Sequence, residues 1–265
     1  MLGYSALVAL GALAAGAPPP ALPDPYPDVA RAYYVEIDGR PRWGGHADES
    51  LPIASLTKLM TALLVAEAGD LDADVTVTRT AVAETGSRLG LRAGERVRSG
   101  DLLTAMLVRS ANDACRALAD ANAGEETRFV ARMNARAVEL GLTRTQFANA
   151  CGHDDDDNRG SARDMATLTH AALQIEAIAT RVSLREFTLT TASGRRYPMR
   201  TTNALLGLLD GARGVKTGWT PGAGRCLVAL AERDGRRVLA VMLHAPERWW
   251  DSVALIELAF ADGRD

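Results

Sequence analysis

The chain has 265 residues, of which 47% are hydrophobic and 24% are charged, and its formal net charge at pH 7 is −3 with a pI near 5.9. This composition is typical of a globular protein that buries a large core. It argues against an electrostatic nucleic-acid surface, because the arginines are scattered along the chain and do not form basic blocks.

The N-terminal residues have the composition of an export segment followed by a linker. Residues 2–17 are small and apolar, end in Ala15-Gly16-Ala17 and precede three prolines. The apolar run is short for a membrane span. We therefore predict a signal-like segment and Pro-rich linker over residues 1–27, and a protein exported to the periplasm or cell envelope. A retained segment would associate the protein with the membrane; a buried N-terminal helix is the alternative.

The rest of the chain predicts a strand, a mainly helical middle, a group of strands and a closing helix. The predicted strands are Ala32–Ile37, Val75–Thr78, a strand around Phe187 and Leu189, Gly214–Thr220, and a hairpin of Cys226–Ala231 and Val238–Leu243 turning at Asp234-Gly235. The predicted helices run from Ser55 to Gly69, over Asp101–Val108, Ala111–Ala121 and Glu125–Leu140, after a cap at Ser161, and from about Arg248 to Phe260. With no internal repeat, this order indicates one α+β domain over residues 28–265.

Two of the thirty basic residues are lysines, Lys58 and Lys216, and all the others are arginines. A lysine can lose its proton when it is buried, whereas an arginine stays charged. Lys58 stands three residues after Ser55 at a predicted helix start, so its amine can reach the serine hydroxyl and act as its base. The backbone N–H of Ser55 can in turn donate to an oxyanion.

Two further motifs supply groups that acyl transfer needs. Ser110 offers a hydroxyl for proton relay, and Asn112 offers an amide that can orient a lysine and a substrate carbonyl. Lys216 can bind a substrate carboxylate and lower the pKa of Lys58 by charge repulsion, while Gly218 lets a ligand backbone approach closely. Taken singly, each motif also fits an ordinary helix cap or strand.

Taken together in this order, the motifs resemble those of the active-site serine DD-peptidases and serine β-lactamases. The segments Pro52–Ala62, Ala105–Ala114 and Gly214–Thr220 are similar to the low-molecular-mass D-alanyl-D-alanine carboxypeptidase family, with similarity from about Ala32 to Phe260. The resemblance implies an antiparallel sheet flanked by helices beside a mainly helical lobe, with the active site between them.

The resemblance also implies a role for each motif residue. Ser55 would be the acylated nucleophile and Lys58 its base, with Ser110 and Asn112 as the second catalytic element. The substrate-binding strand would carry Lys216, Thr217, Gly218 and Trp219, and the backbone N–H groups of Ser55 and Trp219 would form the oxyanion hole.

The implied activity is that of a penicillin-binding serine D,D-carboxypeptidase of peptidoglycan biosynthesis, which needs no cofactor. Ser55 would attack the penultimate D-alanine of a stem peptide, D-alanine would leave, water would hydrolyse the acyl-enzyme, and β-lactams would be covalent inhibitors. The chain ends where the catalytic domain would end, so we expect no C-terminal β-rich domain. Endopeptidases that cut crosslinks also lack it, which keeps a D,D-endopeptidase as an alternative. A class A-like β-lactamase and a non-catalytic β-lactam sensor or cell-wall binding module are weaker alternatives.

Residues 153–157 form a loop of His153 followed by four aspartates, where the family usually has an apolar residue after Gly152. Asp154, Asp156 and Asn158 alternate as calcium ligands can, but an EF-hand needs glycine and glutamate where this chain has Arg159 and Met165. We therefore predict a solvated acidic loop and no metal site.

The three cysteines, Cys115, Cys151 and Cys226, stand beside apolar residues and have no metal-binding spacing. They are expected to be buried free thiols. A disulfide between two of them is the alternative in an exported protein, and the sequence does not say which two.

Overall fold

The computed structural model describes residues 26–262, so all but the last two residues of the predicted signal-like segment and linker, residues 1–27, lie outside the described part of the chain. The strands are β1 (Ala32–Ile37), β2 (Arg40–Gly45), β3 (Leu51–Pro52), β4 (Asp74–Thr76), β5 (Arg96–Arg98), β6 (Arg159–Gly160), β7 (Glu186–Thr190), β8 (Arg196–Arg200), β9 (Ala212–Thr220), β10 (Gly224–Arg233) and β11 (Arg236–Leu243). The helices are α1 (Lys58–Glu67), α2 (Arg79–Ala83), α3 (Ser99–Val108), α4 (Asn112–Ala123), α5 (Glu126–Glu139), α6 (Ala162–Leu173), α7 (Glu176–Val182), α8 (Leu205–Leu208) and α9 (Arg248–Ala261), and a 3-10 turn spans Ala54–Thr57.

The central sheet has five antiparallel strands in the order β2-β1-β11-β10-β9. The predicted hairpin of β10 and β11 is confirmed, and it turns at Asp234 and Gly235, which both have positive φ (50° and 78°). A two-residue hairpin turn of type I′ needs this left-handed backbone at both central positions, which is why Asp-Gly is a strong turn signal. The central strand of the sheet is β11, and β1, from the N-terminal part of the described chain, pairs with it.

Both faces of the sheet are buried, which explains why β10 and β11 are continuous apolar runs. On β10, Val228 and Leu230 face a core shared with the helical lobe, whereas Leu227 and Ala229 face a second core under α9. The alternation follows from the two-residue period of a strand. The helices α6 and α9 therefore cover opposite faces, with the helical lobe built around α1, α3, α4 and α5.

The predicted α+β class, with a helix-flanked antiparallel sheet and a helical lobe, is confirmed. Eight of the described elements were not predicted, namely β2, β3, β5, β6, β8, α2, α7 and α8. Three of them illustrate the reason. The edge strand β2 buries only Trp43, the seven-residue α7 is too short for a clear helical period, and β8 contains Pro198. Short elements that bury few side chains have too few apolar residues to show a clear helical or strand period in the sequence.

The cysteine expectation is wrong for two of the three residues. Cys115 on α4 and Cys151 form a disulfide with a Cα–Cα distance of 6.0 Å, and Cys226 is a buried free thiol as expected. The partners are 36 residues apart, and only the packing of α4 against the segment before Gly152 brings them together.

Among the described helices, none has the length and apolar character needed to cross a bilayer.

Candidate active site

A cleft of about 500 Å³ opens beside β9, between the sheet and the helical lobe. Its walls include residues from all three sequence motifs: Ser55, Ser110, Asn112, Thr217, Gly218 and Trp219. Lys58 and Lys216 lie behind this wall, with 0% and 1% of their surfaces exposed. The eight predicted site residues are thus brought together from three distant segments.

Ser55 does not open an α-helix as predicted; it lies in the 3-10 turn that precedes α1. The preceding Ala54 is in the left-handed region (φ 47°), a conformation that L residues adopt at a cost. Two glycines pack against this backbone. A Cβ on Gly152 would lie 2.0 Å from Ala54 O, and a Cβ on Gly218 would lie 3.1 Å from Ser55 N. Because these glycines have no side chain, the segment that contains Gly152 and the strand β9 can both pack directly against the backbone of the serine turn.

Lys58 begins α1 directly behind Ser55, and its Nζ lies 3.0 Å from Ser55 Oγ. The same amine donates to the carbonyl of Cys151. Burial lowers the pKa of Lys58 from 10.5 to about 7, and the charge of Glu84 opposes this shift. The lowered pKa predicted for Lys58 is therefore present, but its main cause is burial and not repulsion from Lys216.

Lys216 lies on β9 and its amine faces the second motif. Its Nζ donates to Ser110 Oγ and to Thr217 O, both at 2.8 Å. Burial, followed by the charges of Lys58 and Arg248, holds the pKa of Lys216 well below its ordinary value. Ser110 itself has a left-handed backbone (φ 60°), which allows its hydroxyl to meet a residue of the facing strand. The Lys216 amine and the Ser110 hydroxyl are therefore in direct hydrogen-bond contact.

Asn112 has one satisfied and one unsatisfied side-chain atom. Its Nδ2 donates to Thr85 O at 2.6 Å, so the amide is held by the 84–87 loop and not by a lysine. Its Oδ1 is buried and has no hydrogen-bond partner within residues 26–262. A buried acceptor without a partner is costly, and it fits an N–H group of a ligand in the cleft.

Arg248 and His153 also line the cleft, and sequence reasoning gave neither a role. Arg248, at the start of α9, donates through Nη1 to Gly218 O at 2.7 Å, which puts a guanidinium next to β9. Arg248 and Gly218 are 30 residues apart in the sequence, so short-range patterns could not predict this contact. His153 is bonded to Glu84 through Nε2 and Oε2 at 2.6 Å. The sequence did contain a signal for His153, because the family usually has an apolar residue at this position after Gly152.

The acidic loop is tied to the sheet side of the cleft through Asp154. Its carboxylate accepts from the Thr220 hydroxyl and, at 3.0 Å, from the backbone N–H of Gly222. Asp154 to Asp157 are exposed. Within residues 26–262 there is no group of three or more His, Cys, Asp or Glu side chains arranged to hold a metal ion.

Comparison with known proteins agrees with this geometry. The profile of the D-alanyl-D-alanine carboxypeptidase family matches residues 42–247. The D-alanyl-D-alanine carboxypeptidase DacF of Bacillus subtilis is 33% identical over 243 residues, which cover 88% of this chain and 62% of the relative. The chain thus spans less than two thirds of that relative's length.

Two solved structures are similar over nearly the whole chain. The DD-transpeptidase of Streptomyces K15 has 30% identity and a TM-score of 0.82, covering 88% of this chain and 97% of that protein. Penicillin-binding protein D2 of Listeria monocytogenes, solved in its ampicillin-bound form, has 33% identity and a TM-score of 0.78, covering 90% of this chain and 100% of that protein.

Proposed function

From the premise that this chain belongs to the D-alanyl-D-alanine carboxypeptidase family, we propose that it is a serine D,D-carboxypeptidase. Its substrate is a peptidoglycan stem peptide that ends in D-Ala-D-Ala, and β-lactams acylate the same serine. The observation that carries the proposal is the pair of Ser55 Oγ and a buried Lys58 amine at 3.0 Å. A buried lysine whose pKa is lowered to about 7 is a base that works near neutral pH.

In the proposed acylation, neutral Lys58 takes the proton of Ser55 as Oγ attacks the carbonyl of the penultimate D-alanine. The backbone N–H groups of Ser55 and Trp219 stabilise the oxyanion. The C–N bond then breaks, and the proton that Lys58 took from Ser55 passes by way of the Ser110 hydroxyl to the leaving D-alanine amine. The Ser110 hydroxyl is held by the Lys216 amine. No step calls for a cofactor.

The substrate is held at both ends of the scissile bond. Arg248 and Thr217 line the cleft on the β9 side and would bind the terminal carboxylate, with Lys216 supporting them from behind. Asn112 Oδ1 would accept from an amide N–H of the stem peptide. Because Lys216 is buried behind the cleft wall, the half-buried Arg248 beside β9 is the cation that can contact the substrate carboxylate directly.

A D,D-endopeptidase would use the same acyl-enzyme, and so would a transpeptidase of the kind named for the K15 protein. These activities differ in the leaving group and in the acceptor. Hydrolysis is favoured by the position of His153, which lines the cleft and is held by Glu84. An imidazole in this position can activate a water molecule. A β-lactamase would turn penicillin over rapidly, and a sensor or binding module would acylate without releasing peptide products.

For the location of the protein, we propose the periplasm or cell envelope, where stem peptides occur. Membrane association through the N-terminal segment belongs to the same proposal and rests on the composition of residues 1–27 alone.

The test combines a chemical and a catalytic measurement. The protein is mixed with a penicillin, quenched in acid within seconds and digested, and the adduct is located by peptide mass spectrometry. We expect it on Ser55. Free D-alanine released from a stem pentapeptide is then compared with cleavage of crosslinked dimers. An adduct on another residue, or no adduct together with no peptide cleavage, would rule the proposal out.

A further inference from the structure

His153 lines the cleft, and its ring pairs with the carboxylate of Glu84. His153 Nε2 lies 2.6 Å from Glu84 Oε2, and 35% of the His153 side chain is exposed against 10% of Glu84. Burial raises the pKa of Glu84, but the hydrogen bond and charge of His153 and the contact with Arg116 outweigh it and hold this pKa below its ordinary value. Glu84 is therefore ionised, and His153 donates its Nε2–H to it.

This donation leaves Nδ1 as the basic atom of the neutral ring. Nδ1 has no hydrogen-bond partner within residues 26–262, while the backbone N–H of His153 is held by Asn149 Oδ1 at 3.0 Å. An imidazole that is fixed by a carboxylate on one nitrogen and open on the other has the arrangement of a general base.

The carboxylate is held firmly in place. Arg116 contacts Glu84 at 3.3 Å and is itself bonded to Asp120 at 2.8 Å and to Glu126 at 2.7 Å. Glu126 also accepts from the backbone N–H of Ala150 at 3.0 Å, three residues before His153. The network connects α4 and α5 to the loop and leaves Glu84 little freedom to turn away from the imidazole.

The pair is close to the nucleophile. Gly152, which precedes His153, packs so tightly on the serine turn that a Cβ there would lie 2.8 Å from Ser55 N. The charge of Glu84 acts on Lys58, whose Nζ is 3.0 Å from Ser55 Oγ. Both His153 and Ser55 line the cleft. The imidazole and an ester at Ser55 would thus face the same cleft, from which the hydrolytic water must come.

We propose that His153, oriented by Glu84, is the general base that activates the hydrolytic water in deacylation. This inference rests on the proposed function, because it needs an acyl-enzyme at Ser55. Water oxygen attacks the ester carbonyl while His153 Nδ1 takes one water proton, and Glu84 stabilises the imidazolium. The C–Oγ bond then breaks, and the proton passes by way of Lys58 to Ser55 Oγ. One water is consumed, and the peptide leaves as a carboxylic acid.

Acylation does not use His153, so the two chemical steps separate in one experiment. The first turnover with a stem pentapeptide is followed by rapid quench: the burst of D-alanine reports acylation, and the steady rate reports deacylation. In His153→Ala we expect a burst rate within about twofold of the original and a steady rate at least about 100-fold lower. The peptidyl-enzyme should then accumulate with one peptidyl group per protein molecule, and intact-protein mass spectrometry should detect it.

Added imidazole gives a readout that a structural role would not move. It should restore deacylation of His153→Ala in proportion to its concentration and leave the original protein unchanged. His170→Ala is the matched control, because His170 also pairs with a glutamate, Glu36 at 2.5 Å, but on the α6 and β1 side of the sheet. It should keep both rates.

Thermal unfolding of each variant checks the fold, and His153→Leu replaces His153→Ala in the burst measurement if the alanine variant unfolds. Equal losses of burst and steady rates, or an unchanged steady rate, would overturn the role of His153 and leave the proposed function intact. Failure of the original protein to acylate at Ser55 would instead overturn both.

Discussion

Lys58 and Lys216 are both completely buried, yet their amines have different neighbours. Lys58 contacts Ser55, the group that would lose a proton, whereas Lys216 contacts Ser110 and a backbone carbonyl. An arginine can replace a donor but cannot act as a base, because its guanidinium keeps its proton. The scarcity of lysine in this chain thus coincides with two positions where the amine is inaccessible to solvent.

Replacing each lysine by arginine tests this difference. We expect Lys58→Arg to lose acylation by penicillin, with a drop of at least about 100-fold because the base is gone. Lys216→Arg should keep part of the rate, since a guanidinium can still donate to Ser110 and Thr217. Acylation is followed by stopped-flow with a fluorescent penicillin, and circular dichroism confirms that both variants fold. Similar losses at both positions would contradict the separate roles.

The pH dependence of acylation follows from the lowered pKa of Lys58. Only the neutral amine can take the serine proton, so the rate should rise about tenfold per pH unit up to about 7 and level off above it. An ordinary lysine would place the bend above pH 10. The rate of acylation is measured from pH 5 to 9. His153→Leu removes the imidazole that lines the cleft, and it should keep the same bend because acylation does not use that ring.

At the level of elements, the serine turn is held by two segments, the one that contains Cys151 and Gly152 and the strand β9. Gly152 and Gly218 pack on its backbone, and the carbonyl of Cys151 accepts from Lys58. The Cys115–Cys151 disulfide connects this segment to α4, the helix that carries Asn112. The bond therefore joins two of the walls of the cleft.

Removing this disulfide should lower stability more than activity. The bond closes a loop of 36 residues, for which the entropy of the unfolded chain predicts a loss of about 3–4 kcal/mol. We expect Cys115→Ser with Cys151→Ser to lose this much free energy of unfolding in urea titrations. Cys226→Ala keeps the disulfide and is the control for loss of a buried thiol. A midpoint that does not change on removing or reducing the disulfide would contradict this expectation.

For the molecule as a whole, one core runs through the sheet and the helical lobe. It joins strand residues such as Val228 and Val241 to helix residues such as Leu63, Met106 and Leu168. Neither part can expose its half of this core without losing the apolar contacts of the other. The cleft is thus a surface groove over a shared core and does not separate two independent folding units.

We therefore predict a single unfolding transition, and the tryptophans make the test specific. Trp43, Trp219, Trp249 and Trp250 lie on sheet strands or on α9, so fluorescence reports the sheet side, while circular dichroism at 222 nm is dominated by the helical lobe. The two melting curves should coincide. Two separated midpoints would instead indicate that the helical lobe unfolds on its own.

Sequence reasoning worked best where the signal is local. The hairpin at Asp234-Gly235 and the helix cap at Ser161, whose hydroxyl accepts from the backbone N–H of Asp164, follow from residues a few positions apart. The antiparallel, helix-flanked class also follows from the order of the elements. The helix start at Ser55 was wrong because a left-handed Ala54 and two packed glycines impose a 3-10 turn there.

The amino-acid order was enough to identify the family, the class of fold and the residues around which a site could form, because motifs and hydrophobic periods are short-range patterns. The partners of those residues were decided by tertiary packing. The Glu84–His153 pair, the place of Arg248 beside Gly218 and the Cys115–Cys151 disulfide each join segments that are distant along the chain. The pKa of Lys58 belongs to the same group, since its main cause is burial, which exists only once the sheet and the helical lobe have closed around the amine.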